Sequence, residues 1–227
     1  NYLEERFQYP AIDKTTDEDV TTSEILFTVR DIETPATNLL LTANSSDTNL
    51  VPIANILFGG SDTNRTVTFT PAPNQWGVAT ITVTVSDSNL SVSDTFVLTV
   101  NEVNDAPTIP DIPDQATNEG TPTDTVSFTI DDLETAEDSL VVTAVSSNTT
   151  LVPNANIYLS GSGSERTITI TPVANRNGSA TITVTVSDGN LTATDAFVLY
   201  VNGTPTISSI PNQTTRTGTP TTPINFT

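Results

Sequence analysis

Thr and Ser alternate with Val, Ile and Leu through much of this chain. In Thr80-Ile81-Thr82-Val83-Thr84-Val85 every second residue is apolar, and Thr181-Ile182-Thr183-Val184-Thr185-Val186 repeats the pattern. A period of two places one set of side chains in a core and the other in water, as in a half-buried β-strand. Val, Ile and Thr suit such a pleated surface. No stretch sustains the 3.6-residue period of an amphipathic helix. The alternation predicts strands over 125–130, 139–146, 156–160, 166–171, 180–187 and 192–201, preceded by one near 107–117. Turn-forming runs separate them: Gly161-Ser162-Gly163, Asn175-Arg176-Asn177-Gly178 and Asp188-Gly189-Asn190.

The pattern is duplicated. Arg65-Thr66-Val67-Thr68-Phe69-Thr70-Pro71 recurs from Arg166 to Pro172, 101 positions later. Ala79 through Asp87 recurs as Ala180 through Asp188, and Phe96-Val97-Leu98 as Phe197-Val198-Leu199, at the same spacing. A constant offset over most of a domain length signals internal duplication. We divide the chain into an N-terminal segment (1–11), a first repeat (12–103), a second repeat (104–203) and a segment 204–227 that begins a third. Leu3, Phe7 and Tyr9 in the first segment read as docking side chains. Thr204-Pro205-Thr206-Ile207 through Phe226-Thr227 matches Ala106 through Thr129 at an offset of 98. Those residues hold too few strands to bury a core alone. Two readings stay open: the opening of a further repeat, or a donor strand completing another subunit's sheet. Seven short strands in about 100 residues describe an immunoglobulin-like sandwich.

Charge narrows the function. With 27 acidic and 7 basic residues the formal net charge is −20. Nucleic acid is excluded as a partner, because phosphate neutralisation needs clustered Lys and Arg. Anionic lipid would repel the chain. Divalent cations, or simple solubility, suit it. There is no His and no Cys, and Lys14 is the only Lys. That removes histidine-based nucleophilic catalysis, thiolate chemistry and lysine crosslinking in the second repeat. No enzyme is predicted. No apolar run approaches the roughly 18 residues of a spanning helix. Residue 1 is Asn, which reads as a processed or excised piece of a longer product. N-x-S/T sequons such as Asn44, Asn148 and Asn190 suit an exposed surface.

Position in a sandwich brings particular acids together. In an antiparallel seven-stranded sandwich the loops after strands two and six fall at the end where the chain enters. Asp132, Glu134 and Asp188 would there meet Asn104 and Asp105. The turn after the first strand lies at the other end, which places Glu18 of the first repeat near the same joint. Such a group of acids without Lys or Arg repels itself unless a cation neutralises it, and calcium takes six to eight oxygens.

Glu102-Val103-Asn104-Asp105-Ala106-Pro107 resembles the linker of cadherin-like repeats, with one residue fewer before the proline. Asp31-Ile32-Glu33 and Asp132-Leu133-Glu134 resemble that family's D-x-D element, Asp87 and Asp188 its late aspartate, and Glu18 and Glu119 the glutamate between its first two strands. The resemblance implies tandem seven-stranded immunoglobulin/cadherin-like Greek-key β-sandwiches. It implies calcium at the joint, held by Glu18, Glu102, Asn104, Asp105, Asp132, Glu134 and Asp188. The segments Pro71–Gly77 and Pro172–Gly178 carry no carboxylate where the family places one, so one or two ions are expected. Asp31, Glu33 and Asp87 would need linker ligands from upstream. The next joint, Asn202-Gly203-Thr204-Pro205, has no acids and should bind calcium poorly.

Three functions follow as expectations. The first is a structural or adhesive extracellular or cell-surface rod, its partners being neighbouring repeats or subunits and a glycan or cell-surface receptor. The second is a polymerising filament subunit that donates 204–227. The third is a carbohydrate-binding accessory module using Trp76 or Tyr158.

Overall fold

A computed structural model describes residues 13–226 of the chain. The expected docking of Leu3, Phe7 and Tyr9 lies outside the described residues. Contacts divide the chain into two units, Asn1–Val103 and Asn104–Thr227.

The first unit contains β1 (Lys14–Asp17), β2 (Ile25–Thr28), β3 (Leu40–Ser45), β4 (Ile56–Ser61), β5 (Asn64–Phe69), β6 (Gly77–Ser86) and β7 (Ser91–Asn101). They form a four-stranded sheet in the order β1-β7-β6-β3 and a three-stranded sheet in the order β2-β5-β4. β1 runs parallel to β7, with Thr15 opposite Thr99; the other pairings are antiparallel. The inward residues are those marked by the period of two: Ala79, Ile81, Val83 and Val85 of β6 are buried, and Thr80 is exposed. The Phe69 and Phe96 rings meet edge to face at 5.5 Å inside this core.

The second unit repeats the plan with β8 (Gln115–Asn118), β9 (Val126–Thr129), β10 (Val141–Ser146), β11 (Ile157–Ser162), β12 (Glu165–Ile170), β13 (Gly178–Ser187) and β14 (Thr192–Asn202). The sheets are β10-β13-β14-β8 and β11-β12-β9. Again the first strand is parallel to the last, with Tyr200 opposite Ala116. Ile182, Val184, Phe197 and Leu199 are the centre of one continuous core that also takes in Ile112, Phe128 and Ile168. Burying each such side chain contributes about 1.5–3 kcal/mol relative to exposure.

The strand expected near 107–117 is divided between the sheets. Thr108 forms an isolated bridge with Asp131 beyond the end of β9, whereas Gln115–Asn118 pairs with β14. The reason is Pro107, Pro110 and Pro113, whose nitrogens cannot donate to a ladder. Between the two pairings Ile112 drops into the core, and its N–H donates to Asp195 Oδ2 at 3.0 Å. After β8 the chain reverses at Gly120, whose φ of +67° favours glycine; Asp19 holds the matching turn in the first unit at +59°.

No strand occurs over 203–226. The local turn bonds of the second unit nevertheless recur there. Thr215 Oγ1 donates to Thr219 O at 2.6 Å, as Thr117 Oγ1 does to Thr121 O at 3.0 Å. Among the described residues no helix is long and apolar enough to cross a membrane.

Candidate functional site

We call the end where the chain enters a sandwich its inlet and the end where it leaves its outlet. At the inlet of the second unit the loops after β9 and β13 carry aspartates that shape them. Asp132 Oδ1 accepts from Glu134 N at 3.1 Å and Thr135 N at 2.7 Å. Asp188 Oδ1 accepts from Asn190 N at 2.6 Å and Leu191 N at 2.7 Å. These are Asx turns, a structural reason for Asp at both places. The arriving chain is tied to the same loops. Asn104 Nδ2 donates to Asp188 Oδ2 at 2.7 Å, and Asp105 N donates to Glu134 Oε2 at 3.0 Å. Asn104 is thus bonded to Asp188 and Asp105 to Glu134, and Asp132 anchors the loop that carries Glu134.

Hydrogen bonding lowers the pKa of Asp188. The Asn104 amide holds its carboxyl below the ordinary value, burial opposes this, and the loop N–H groups assist the amide. Two carboxylate oxygens in the cluster remain without a donor. Asp132 Oδ2 and Glu134 Oε1 are both buried and unpartnered. An anionic oxygen in that position costs desolvation that no bond offsets. Among the described residues no three acids are arranged as a ready metal cage.

An arginine braces this region. Arg166 on β12 is buried; its Nη2 donates to Glu137 O at 2.8 Å and its Nη1 to Gly163 O. It holds the turn after Glu134 through backbone carbonyls. Arg65 repeats the arrangement in the first unit, donating to Ala36 O at 2.9 Å. The inlet there has the same Asx turns: Asp31 Oδ1 accepts from Glu33 N and Thr34 N, and Asp87 Oδ1 from Asn89 N and Leu90 N.

Glu18 and Glu102 belong to the first unit's outlet. Glu18 is only 3% exposed. Its backbone N–H donates to Asn101 O at 3.0 Å, and its Oε1 accepts from Val103 N at 2.7 Å. Its Oε2 is buried without a partner. Glu102 is exposed. The counterpart of Glu18 is Glu119, whose Oε1 accepts from both Thr204 N (3.0 Å) and Thr204 Oγ1 (2.6 Å). The threonine hydroxyl, then its amide, lower the pKa of Glu119.

The bracing role of Arg65 and Arg166 was missed in the sequence, although each opens a duplicated strand motif. Asp114 and Asp195 were missed too. Each accepts a backbone N–H, from Val198 at 2.7 Å and Ile112 at 3.0 Å. The signal for Asp114 was its recurrence as Asp13, which accepts from Val97 N at 3.0 Å. Trp76 and Tyr158, the aromatics considered for a glycan, are both exposed.

Residues 104–200 match the family model described as bacterial Ig domain. The second unit is thus similar to a bacterial Ig domain over nearly its whole sandwich, and the first unit repeats its strand order. No curated protein matches the sequence. Among solved structures, titin domains z1z2 in complex with telethonin are similar at 14% identity and TM-score 0.40, over 88% of this chain and 96% of that one. A three-Ig fragment of titin is similar at 12% identity and TM-score 0.44, over 88% and 65%. An endo-fucoidan hydrolase of glycoside hydrolase family 107 is similar at 18% identity and TM-score 0.34, over 86% of this chain and 28% of that one.

Proposed function

We propose that the chain is a structural stretch of an extracellular repeat protein, a rod or fibre segment, whose second unit holds a calcium ion at its inlet. The tandem of Ig-like units supports the structural part. One observation supports the ion: Asp132 Oδ2 and Glu134 Oε1 are buried without donors, beside linker residues Asn104 and Asp105. Calcium is a hard cation that takes carboxylate and amide oxygens with tolerant geometry. Asp132 and Glu134 would contribute carboxylates. Since no three acids among the described residues stand ready as a cage, side-chain rotation would have to bring in the carboxylates of Asp105 and Asp188 and the carboxamide oxygen of Asn104. The ion would supply the positive charge that no Lys or Arg side chain brings to these oxygens. The unpartnered Oε2 of Glu18 extends the same argument to the first unit's outlet, with exposed Glu102 beside it in sequence.

The test is thermal unfolding of the whole chain in calcium and in chelator. An ion at a hundred times its dissociation constant stabilises the unit that binds it by about 2.7 kcal/mol. The expected result is a higher Tm in calcium that disappears in the double variant Asp132→Asn with Glu134→Gln. An unchanged Tm on chelation removes the ion and leaves the structural reading in place. Small-angle scattering under both conditions reads any stiffening.

A second reading concerns the tail. Ile207 is 68% exposed and Phe226 57%, whereas their counterparts Ile109 and Phe128 pack on or in the second unit's core, Phe128 at 5%. The tail thus carries apolar side chains that a sheet would bury. As a donor strand it would join one subunit to the next. Deleting residues 204–227 should then abolish concentration-dependent polymers, and polymers that survive the deletion reject this reading.

A further inference from the structure

An N-x-S/T sequon, with a hydroxyl two positions after an asparagine, is an acceptor sequence for N-linked glycan. The two repeats have one sequon in common. Asn89-Leu90-Ser91 recurs 101 positions later as Asn190-Leu191-Thr192, although its hydroxyl residue differs. No other sequon stands at equivalent positions of both: Asn44 is matched by Val145, Asn148 by Asp47 and Asn177 by Trp76. The common sequon lies at the inlet, where β6 passes to β7 and β13 to β14. In each copy the asparagine backbone is fixed. Asn89 N donates to Asp87 Oδ1 at 2.8 Å, and Asn190 N to Asp188 Oδ1 at 2.6 Å. Among the described residues the carboxamides of Asn89 and Asn190 have no hydrogen-bond partner, nor have the hydroxyls of Ser91 and Thr192, and all four residues are exposed. The other sequons of the sandwiches are engaged. Asn44 lies within β3, and its Oδ1 accepts from Ser45 N at 3.1 Å. Asn64 lies within β5, paired on both sides. Asn148 Oδ1 accepts from Leu151 N and from the hydroxyl of Thr150, its own sequon residue. The Asn177 amide lies over Gly203. Asn202 ends β14, and the Thr204 hydroxyl of its sequon donates to Glu119.

We infer that Asn89 and Asn190 are acceptors for N-linked oligosaccharide, one in each unit. The donor class is an oligosaccharide carried on a lipid pyrophosphate, and a transferase joins the two. Nδ2 of the asparagine attacks the anomeric carbon of the first sugar. The bond from that carbon to the pyrophosphate oxygen breaks, the lipid pyrophosphate leaves with the electron pair, and one amide proton passes to a base of the transferase. The turn presents both groups that the sequon requires, a free carboxamide and a free hydroxyl, at the tip of a hairpin. A glycan on Nδ2 leaves the backbone N–H bond to Asp87 or Asp188 in place, because that bond uses the other nitrogen. It would add bulk and hydration beside Leu90 and Leu191, which are 54% and 43% exposed. The inference rests on the extracellular reading proposed above, since sequons are modified in secreted proteins.

The test uses the whole folded chain, an oligosaccharyltransferase of bacterial type and a polyprenyl-pyrophosphate-linked oligosaccharide, with the modified positions mapped by mass spectrometry of peptides. Asn89 and Asn190 should carry the glycan, and Asn44, Asn148 and Asn202 should stay bare. Ser91→Ala should lose the glycan on Asn89 and keep that on Asn190, and Thr192→Ala should do the reverse. Unchanged circular dichroism and Tm in each variant establish that the fold is retained. Peptides cut from the same chain serve as the control for the transferase. Peptides that are modified at Asn89 and Asn190 while the folded chain is not overturn the inference. So does a folded chain modified as fully at Asn44 and Asn148, or a glycan that survives the loss of its hydroxyl. None of these outcomes touches the structural reading, which stands or falls on the two-condition unfolding and scattering measurements.

Discussion

The outlets of the two units share a backbone and differ in chemistry. At both, a glutamate after the first strand accepts the N–H of the departing chain: Glu18 from Val103, Glu119 from Thr204. Val103 brings no hydroxyl, and Glu18 keeps a buried oxygen without a partner. Thr204 adds its hydroxyl to the same glutamate oxygen, and the pKa of Glu119 falls. The surrounding loops differ in the same sense. Val20, Ile53, Trp76 and Val78 are exposed in the first unit, and the equivalent positions of the second are Thr121, Asn154, Asn177 and Ser179. Core positions keep their apolar character in both units. Inward residues of a duplicated sandwich are held by packing, so its ends diverge without disturbing the strands.

The largest effect should be one that does not distinguish the units. Ile81→Ala and Ile182→Ala both empty fully buried sites, and each should cost about 2–5 kcal/mol by urea denaturation. Unequal losses would show that the two cores are not equivalent. Glu18→Ala should cost about 1–3 kcal/mol, because the Val103 N–H loses its buried acceptor. The contrast at Glu119 is read in protonation. Thr204→Val should move the Glu119 titration, followed by carboxyl NMR, up toward its ordinary 4.5. Asn104→Ala should likewise raise Asp188 toward 3.8. Both carboxyls are depressed in the folded state. Their contribution is complete above those ordinary values and is lost as pH falls through the lower folded ones. Unfolding midpoints measured on acidification should decline less steeply in the two variants than in the parent chain. The smallest effect is expected for Trp76→Asn, which copies the second unit's residue. Its stability should change by no more than about 0.5 kcal/mol, while binding of a hydrophobic dye by the chain decreases.

Strands were readable because their residues meet two simple demands, apolar inward and polar outward. The six intervals from 125 to 201 correspond to β9 through β14 within about two residues. The segment near 107–117 was not readable as two pieces. Its prolines forbid a continuous ladder, but which sheet takes each half depends on neighbours far along the chain. Strand direction led to the expectation that Asn104 and Asp105 meet Asp132, Glu134 and Asp188 at one end; that Asn104 bonds Asp188 and Asp105 bonds Glu134 was not readable. Nor was the bracing by Arg166. A lone arginine at the start of a strand looks like a solvent-facing charge until the turn at Glu137 is seen to fold over it.

The Thr/Val alternation determined the sandwich class, and the offset of 101 determined that the sandwich occurs twice. Both are statements about periodicity, which short windows of sequence carry. Only the tertiary structure decided how the oxygens are divided within each acid: which are engaged by a backbone N–H and which are buried without a donor. It also decided which sequons stand free at a turn and which have an amide or hydroxyl engaged. Each depends on side chains brought together from separated strands and loops, and no local pattern records which residues those will be.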